Sequence, residues 1–168
     1  MASELSDVAV RVAGAADAGA LAALRSLWIG GGGADPGFER RMAEWLAAEG
    51  DRRTSWLAML GDRPVGMASL FEYRRMPRPD RPDSRWGYVS TMFVREDVRD
   101  RGVGSALLAA IVSAADERGY ARLVLSPTAR SLRFYRRAGF IVADAAAGDD
   151  RLLVRPGSPR RRLRHRRR

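Results

Sequence analysis

Two glycines one residue apart, Gly102 and Gly104, lie in the run Val98 to Leu108 (VRDRGVGSALL), with Arg99 and Arg101 beside them and an apolar helical pattern directly after. Glycine at a helix start forgoes up to about 1 kcal/mol of helix preference at each position. Exposed backbone is one compensation. The first N–H groups of a helix have no acceptor inside it and lie at its positive end. Where side chains are missing, a phosphate or pyrophosphate can reach those groups. Arg99 and Arg101 add positive charge there, and Asp100, Val103 and Ser105 complete the loop. The plainer alternative is a helix start with glycines for packing. Two other phosphate loops do not fit. The dinucleotide pattern G-x-G-x-x-G requires glycine where this chain has Leu107. A Walker A loop requires lysine, and all 30 cationic residues here are arginine. The absence of cysteine excludes disulfides, thiolate metal ligands and a cysteine-linked intermediate.

The elements that must carry this loop follow from periodicity. Val8 to Val12 alternates as a first strand. Asp17 is the expected cap of a helix with Leu21, Leu24, Leu27 and Trp28 at its apolar positions, ended by a loop at Gly30 to Gly33. Phe38 to Ala48 forms a second helix, with Phe38, Met42, Trp45 and Leu46 on one face. Thr54 to Leu60 and Val65 to Tyr73 pair as a hairpin around Gly61-Asp62-Arg63-Pro64. Residues 76–87, rich in proline and aspartate, read as a loop, and Tyr88 to Val94 as a buried strand. The third helix turns Val103, Leu107, Leu108, Ile111, Val112 and Ala115 inward and stops at Gly119. A strand at Arg122 to Leu125 and a short helix at Ser131 to Ala138, ended by Gly139, come next. Phe140 to Val142 and Leu152 to Val154 pair as a last hairpin with Gly148-Asp149-Asp150 in its turn. The order βααβββαβαββ predicts a mixed α/β sheet covered by helices.

A chain of 168 residues, 46% apolar, is expected to form one domain with a real core. Its net charge of +10 is unevenly spread: without the seven arginines of Pro156 to Arg168 it falls to +3. The domain is therefore expected over 1–155, with 156–168 a disordered arginine-rich tail, either simply solvated or able to touch nucleic acid or an anionic surface. His165 lies in that tail and is expected to take no part in chemistry. The polar start and the lack of a long apolar run predict a cytoplasmic protein without a membrane span.

The spacing R-x-x-G-x-G, read as Arg99, Gly102 and Gly104, resembles the acetyl-CoA loop of the GNAT acetyltransferases. Phe134 to Phe140 (FYRRAGF) resembles that family's late signature and begins thirty residues after Gly104, across a helix and a strand. The strand ending Met92-Phe93-Val94 and the helix Ser105 to Glu117 stand where the family requires them. The resemblance covers roughly 8–155. It implies an α/β GNAT acyl-CoA N-acyltransferase fold, a mixed and mostly antiparallel sheet flanked by helices. It also implies an enzyme that moves an acetyl group from acetyl-CoA to a primary amine by direct attack, with no metal.

Roles for individual residues follow from the same resemblance. The N–H groups of Arg101 to Ser105 would hold the diphosphate. Met92, Phe93 and Val94 would pair with the pantetheine arm as an added strand, and a backbone N–H near Phe93 would face the thioester oxygen. Tyr135, with a phenol pKa near about 10 against about 8.5 for a thiol, would protonate the leaving sulfur. Its alternative role is a core aromatic sharing a helical face with Leu132 and Ala138. Thr128 and Ser131 would touch pantetheine or phosphate, Thr128 standing where many relatives carry Asn. Many relatives take the amine proton with a glutamate in the fourth strand. Here that position is Ser90, so Glu72 on the neighbouring strand is the expected substitute, with Tyr88, Tyr73 and a water chain as alternatives.

The first two helices, with Gly30 to Gly33 and Asp35 between them, would wall the acceptor cleft. Trp28, Phe38 and Trp45 either line it or pack in the core. Glu39, Glu44 and Glu72 could draw a cationic amine. A polyamine, an aminoglycoside, an amino acid and a protein N-terminus all fit as acceptors. Homodimers are common in the family, an expectation by analogy alone. Two other classes of function stay open: a non-catalytic acyl-CoA-binding regulatory domain, and a nucleic-acid-binding protein acting through its tail.

Overall fold

The computed structural model describes residues 8–30, 35–80, 83–143 and 152–158. β1 (Val8–Val12), β2 (Arg53–Leu60), β3 (Arg63–Arg74) and β4 (Arg85–Val94) are antiparallel neighbours in chain order. β5 (Arg122–Leu125) joins β4 in parallel, and β7 (Leu153–Pro156) and β6 (Ile141–Val142) extend the sheet to the order 1-2-3-4-5-7-6. The helices are α1 (Ala18–Ile29), α2 (Phe38–Glu49), α3 (Val103–Glu117) and α4 (Leu132–Arg137). This is the expected mixed, mostly antiparallel α/β sheet in the expected order.

Alternation along the strands makes two apolar faces. Leu57, Met67 and Phe93 pack with Leu21 and Leu24 of α1, and Met42 and Leu46 of α2 close over them. Trp56, Ala58, Ala68, Leu70 and Val89 point the other way, against the stripe Val103, Leu107, Leu108, Ile111 and Ala115 of α3. Tyr135 of α4 joins this second cluster beside Phe140, with ring centroids 5.7 Å apart.

One irregularity shapes the middle of the sheet. Ser69 pairs with Thr91 but Leu70 pairs with Val89, so Ser90 is an extra residue without a partner on β3. Such a bulge bends and twists its strand. Beyond it β4 runs on to Val94, whereas its pairing with β5 is limited to Gly87 with Leu123 and Tyr88 with Val124. The two central strands meet at one end and separate at the other.

Several local expectations are corrected. β4 begins at Arg85, inside the expected loop, because Arg85 to Gly87 pair with the end of β3 and Trp86 stacks on Tyr73 at 4.3 Å. Asp17 takes the expected N-cap position of α1 but makes no side-chain capping bond to it; it ends a 3-10 turn, Ala15–Asp17, accepts from the Gly14 N–H at 2.9 Å and pairs with Arg11 at 2.6 Å. Leu27 and Trp28 leave the inner face of α1 and are 53% and 41% exposed. α4 is shorter than expected at both ends, with Ser131 flanking it. The expected tail 156–168 does not begin at 156: Pro156 ends β7, the Gly157 N–H donates to the Ala121 carbonyl at 3.0 Å and Ser158 Oγ donates to Asp116 at 3.1 Å. Residues 31–33 of the expected loop Gly30 to Gly33, the turn at Gly148-Asp149-Asp150, and the rest of the tail from residue 159, His165 included, lie outside the described residues. Among the described residues no helix is long and apolar enough to cross a membrane.

Gly87 sits where the sheet closes. A Cβ there would stand 2.7 to 3.0 Å from Leu70, Leu123 and Tyr120. Gly87→Ala is expected to cost about 1–3 kcal/mol through overpacking, read as a lower midpoint in urea unfolding.

Candidate active site

The separation of β4 from β5 opens a cleft of about 830 Å³. One wall is β4 from Val89 to Val94, the other Leu125, the loop after it and α4, and the floor is the start of α3. The loop reaches α3 through two left-handed residues, Asp100 at φ 60° and Gly102 at φ 83°. Asp100 bears a side chain in a conformation that glycine adopts more readily, so this turn holds some strain. The first helical bond runs from the Ala106 N–H to the Gly102 carbonyl at 2.9 Å. The N–H groups of Val103, Gly104 and Ser105 therefore have no acceptor within the helix.

The two glycines differ in purpose. Gly102 provides the backbone angle. Gly104 has an ordinary backbone, and a Cβ there would meet Phe134 only at 3.6 Å, a normal contact. Packing does not require glycine at 104, and its absent side chain leaves the backbone open to the cleft.

Most of the expected donor-site residues come together. Met92, Phe93, Val94, Arg99, Asp100, Gly102, Gly104, Ser105, Thr128 and Ser131 all line the cleft. Arg101 and Val103 do not: Arg101 is exposed, Val103 is buried under α3, and each can contribute only its backbone. Arg99 donates from Nε to the Val94 carbonyl at 3.2 Å and from Nη1 to Glu96 at 3.0 Å, tying the loop to the open edge of β4. Thr128 and Ser131 bind each other, Oγ1 to Oγ at 3.0 Å, and the Thr128 N–H donates to Ser131 Oγ at 3.0 Å.

Sequence reasoning missed Arg130, Arg133 and Arg137, which face the same cleft. Arg130 precedes α4, and the spacing of Arg133 and Arg137, four residues apart on one side of that helix, was the available signal. With Arg99 they give four cations against the single carboxylate of Asp100 among the lining residues. That balance, beside an open helix N-terminus, fits a ligand with several phosphate charges.

Tyr135 also lines the cleft and is 6% exposed. Phe134 and Phe140 meet its ring edge-on at 5.0 and 5.7 Å. Burial raises its pKa to about 12, so the phenol stays protonated across the neutral range.

Glu72 is elsewhere. It shares the face of Ala68 and Leu70, near the last turn of α3, and lines a separate cavity of about 280 Å³ with Thr54, Arg74, Arg85 and Arg118. The Tyr120 hydroxyl donates to its Oε2 at 2.6 Å and Arg74 Nε donates to its Oε1 at 2.8 Å, with Arg85 at 3.7 Å. Burial pushes this carboxyl up, but the bonds from Tyr120 and Arg74 and the charge of Arg85 prevail and hold its pKa below the usual value. Tyr120 is raised in turn, by burial and by Glu72. Ser90, standing where many relatives carry their glutamate, lines the cleft, whereas the alternative bases Tyr73 and Tyr88 lie outside its lining. Trp28 lines the cleft and stacks on Phe93 at 6.1 Å; Trp45 is partly exposed on α2.

Residues 21–140 match the model of the acetyltransferase (GNAT) family. Solved structures share the fold at low identity. A Trypanosoma brucei acetyltransferase is 20% identical with a TM-score of 0.69, covering 86% of this chain and 99% of its own. A Clostridium acetobutylicum protein, a predicted acetyltransferase solved with acetyl-CoA, is 18% identical with a TM-score of 0.66, covering 85% and 96%. The ribosomal-protein-alanine N-acetyltransferase of Brucella melitensis is 23% identical with a TM-score of 0.62, covering 84% and 93%. No curated protein matches the chain.

The contrast between the glycines can be measured. Gly104→Ala is expected to leave the melting temperature unchanged or slightly higher, since alanine favours helix, while acetyl-CoA affinity falls about tenfold or more by calorimetry. Gly102→Ala is expected to lose about 1–2 kcal/mol of stability, because alanine must adopt the left-handed angle.

Proposed function

Because the chain belongs to the GNAT acetyltransferase family, we propose that it transfers the acetyl group of acetyl-CoA directly to a primary amine bound on the α1 and α2 side of the cleft. The observation that carries this reading is the open start of α3 facing a cleft lined by four arginines, where β4 offers an unpaired edge. The N–H groups of Val103 to Ser105 receive the diphosphate. Arg130, Arg133 and Arg137 supply positive charge for the remaining phosphate. Met92 to Val94 hold the pantetheine arm in strand-like pairing, and a backbone N–H near Phe93 stabilises negative charge on the thioester oxygen.

In the transfer the amine nitrogen forms a bond to the acetyl carbon, the carbon–sulfur bond breaks, and the amine loses a proton. Tyr135 hydrogen-bonds the departing sulfur. With a pKa of about 12 against about 8.5 for a thiol, complete proton transfer from the phenol is uphill. The proton that ends on sulfur is therefore the one released by the amine, and Tyr135 stabilises the thiolate as it forms. Glu72, bonded to Tyr120 and Arg74 and depressed in pKa, is a poor base for an ammonium ion; its part is to brace the far end of the sheet. The amine enters in its neutral form past Ser90 and gives its proton to the sulfur, directly or through water.

Tyr135→Phe is expected to lower kcat about a hundredfold with acetyl-CoA affinity within about twofold, measured by thiol release and calorimetry. The pH profile of kcat/KM is expected to rise with the ionisation of the acceptor ammonium alone. No limb should appear near pH 6–7, and no loss from Tyr135 below about pH 11, because its raised pKa keeps the donor proton in place until then.

One observation favours a second reading, a regulatory acyl-CoA-binding domain. Asp100 is the one carboxylate among the cleft-lining residues, and Ser90 occupies the bulge. A thiol-release screen over a broad amine panel decides: a pure binder binds acetyl-CoA with measurable heat yet releases no thiol above background with any amine. A calorimetric titration with no heat, with no thermal protection by acetyl-CoA, would overturn both readings.

A further inference from the structure

Behind Ser90 of the cleft wall stands a cation that the donor site does not use, Arg53, which lines the smaller cavity that Glu72 also lines. Ser90, the extra residue of the β4 bulge, accepts a hydrogen bond from Arg53 Nη1 at 2.8 Å. The Arg53 guanidinium lies over the rings of Trp45 and Phe71, 5.0 and 4.9 Å from their centroids. Its Nε is buried without a hydrogen-bond partner and forms an ion pair with Glu49 at 3.6 Å, longer than a hydrogen bond. The hydrogen bond to Ser90 is the only one this side chain makes among the described residues. Aromatic faces hold the planar cation in place while leaving most of its donors unspent. A donor kept that way next to a cleft is suited to a ligand acceptor.

The carboxylates that could have drawn a polycation are engaged or distant. Glu72 is bonded to Tyr120 and Arg74, Glu44 pairs with Arg40 at 2.6 Å, and Glu39 sits over Gly19 at the end of α1 remote from Trp28. Around Arg53, beside its ion pair with Glu49, aromatic surface continues through Phe71 to the stacked pair Tyr73 and Trp86.

We propose that Arg53 recognises an anionic group on the acceptor, so that the protein acetylates amines that also carry a carboxylate or a phosphate and discriminates against polyamines and aminoglycosides. This rests on the acetyl-transfer reading above and narrows its substrate class. A guanidinium already aligned by two rings and Ser90 can present a paired set of N–H donors to an oxyanion at little entropic cost. A polyamine at the same place would meet a like charge, and the carboxylate beside it, Glu49, is already paired with Arg53.

The test uses matched amines in the thiol-release assay: 4-aminobutyrate against butylamine, glycine against glycinamide, phosphoethanolamine against ethanolamine, and spermidine. The acidic member of at least one pair is expected to lead its neutral partner about tenfold or more in kcat/KM, and which pair responds tells a carboxylate from a phosphate. Arg53→Met should raise KM for that acidic acceptor about tenfold to a hundredfold, with KM for acetyl-CoA within about twofold. Arg53→Lys, which keeps the charge but not the fork, should fold where the Met variant does not, and should retain only part of the preference. Equal use of acidic and neutral amines, a preference for spermidine, or an equal loss on both members of a pair in Arg53→Met would overturn the proposal. If no amine releases thiol although acetyl-CoA binds, the catalytic reading fails, and tryptophan fluorescence then decides the anion site separately. Quenching of CoA-bound protein by N-acetylglycine but not by its amide supports the site; no response to either overturns it.

Discussion

The parting of β4 from β5 governs the rest of the molecule. Two parallel strands that share only the pairs Gly87–Leu123 and Tyr88–Val124 leave the remainder of β4 with unpaired backbone groups. An open edge inside a sheet is costly unless something covers it. Here the fold maintains it from both sides. At the closed end Gly87 lets Leu70, Leu123 and Tyr120 crowd together. At the open end the bulge at Ser90 turns β4 away, α3 begins directly beyond the strand, and Arg99 partly covers the edge by donating to the Val94 carbonyl. The cleft is therefore a product of strand geometry, and its chemistry follows from which backbone groups that geometry leaves without partners.

Charge then sorts the two ends of the sheet into different tasks. The open end gathers Arg99, Arg130, Arg133 and Arg137 around a helix start that is itself positive. The closed end buries Glu72 among Arg74, Arg85 and Tyr120, while Arg118 of the same cavity donates to Thr54 Oγ1 at 2.8 Å. Removing one partner from such a knot leaves a buried group unsatisfied, so it stabilises chiefly by being complete. Tyr135 belongs to the open end and is shielded by the aromatic rings around it, which is why its proton is held so firmly.

Much of this was readable in the residues. The glycine spacing, the helix stripe from Val103 to Ala115 and the strand alternation each encode a local rule, and local rules survive into the fold. Element order followed from them. The misses have a common cause. Ser90 as a bulge, Arg53 as its partner and Glu72 as a brace depend on cross-strand register and on residues far apart in the chain: 37 positions separate Arg53 from Ser90, and 48 separate Glu72 from Tyr120. No single-stretch pattern reports such a contact. The family resemblance pointed to Glu72 as the substitute on the strand beside Ser90, whereas strand alternation placed it with Ala68 and Leu70, facing α3. Asp17 makes no capping bond to α1 for a related reason: Arg11, six residues earlier, captures its oxygens together with the Gly14 N–H.

The cleft's cations are guanidinium groups throughout, in a sequence without lysine. A guanidinium stays protonated at any pH a cell reaches and is a very weak nucleophile toward thioesters. A protein that holds an activated acetyl donor beside its own basic side chains runs the risk of acylating itself and erasing the charge that attracts the donor. On the acetyl-transfer reading, the side chains that create the attraction would be inert to the very reagent they concentrate, and the field at the mouth of the cleft would persist however long the donor stayed bound.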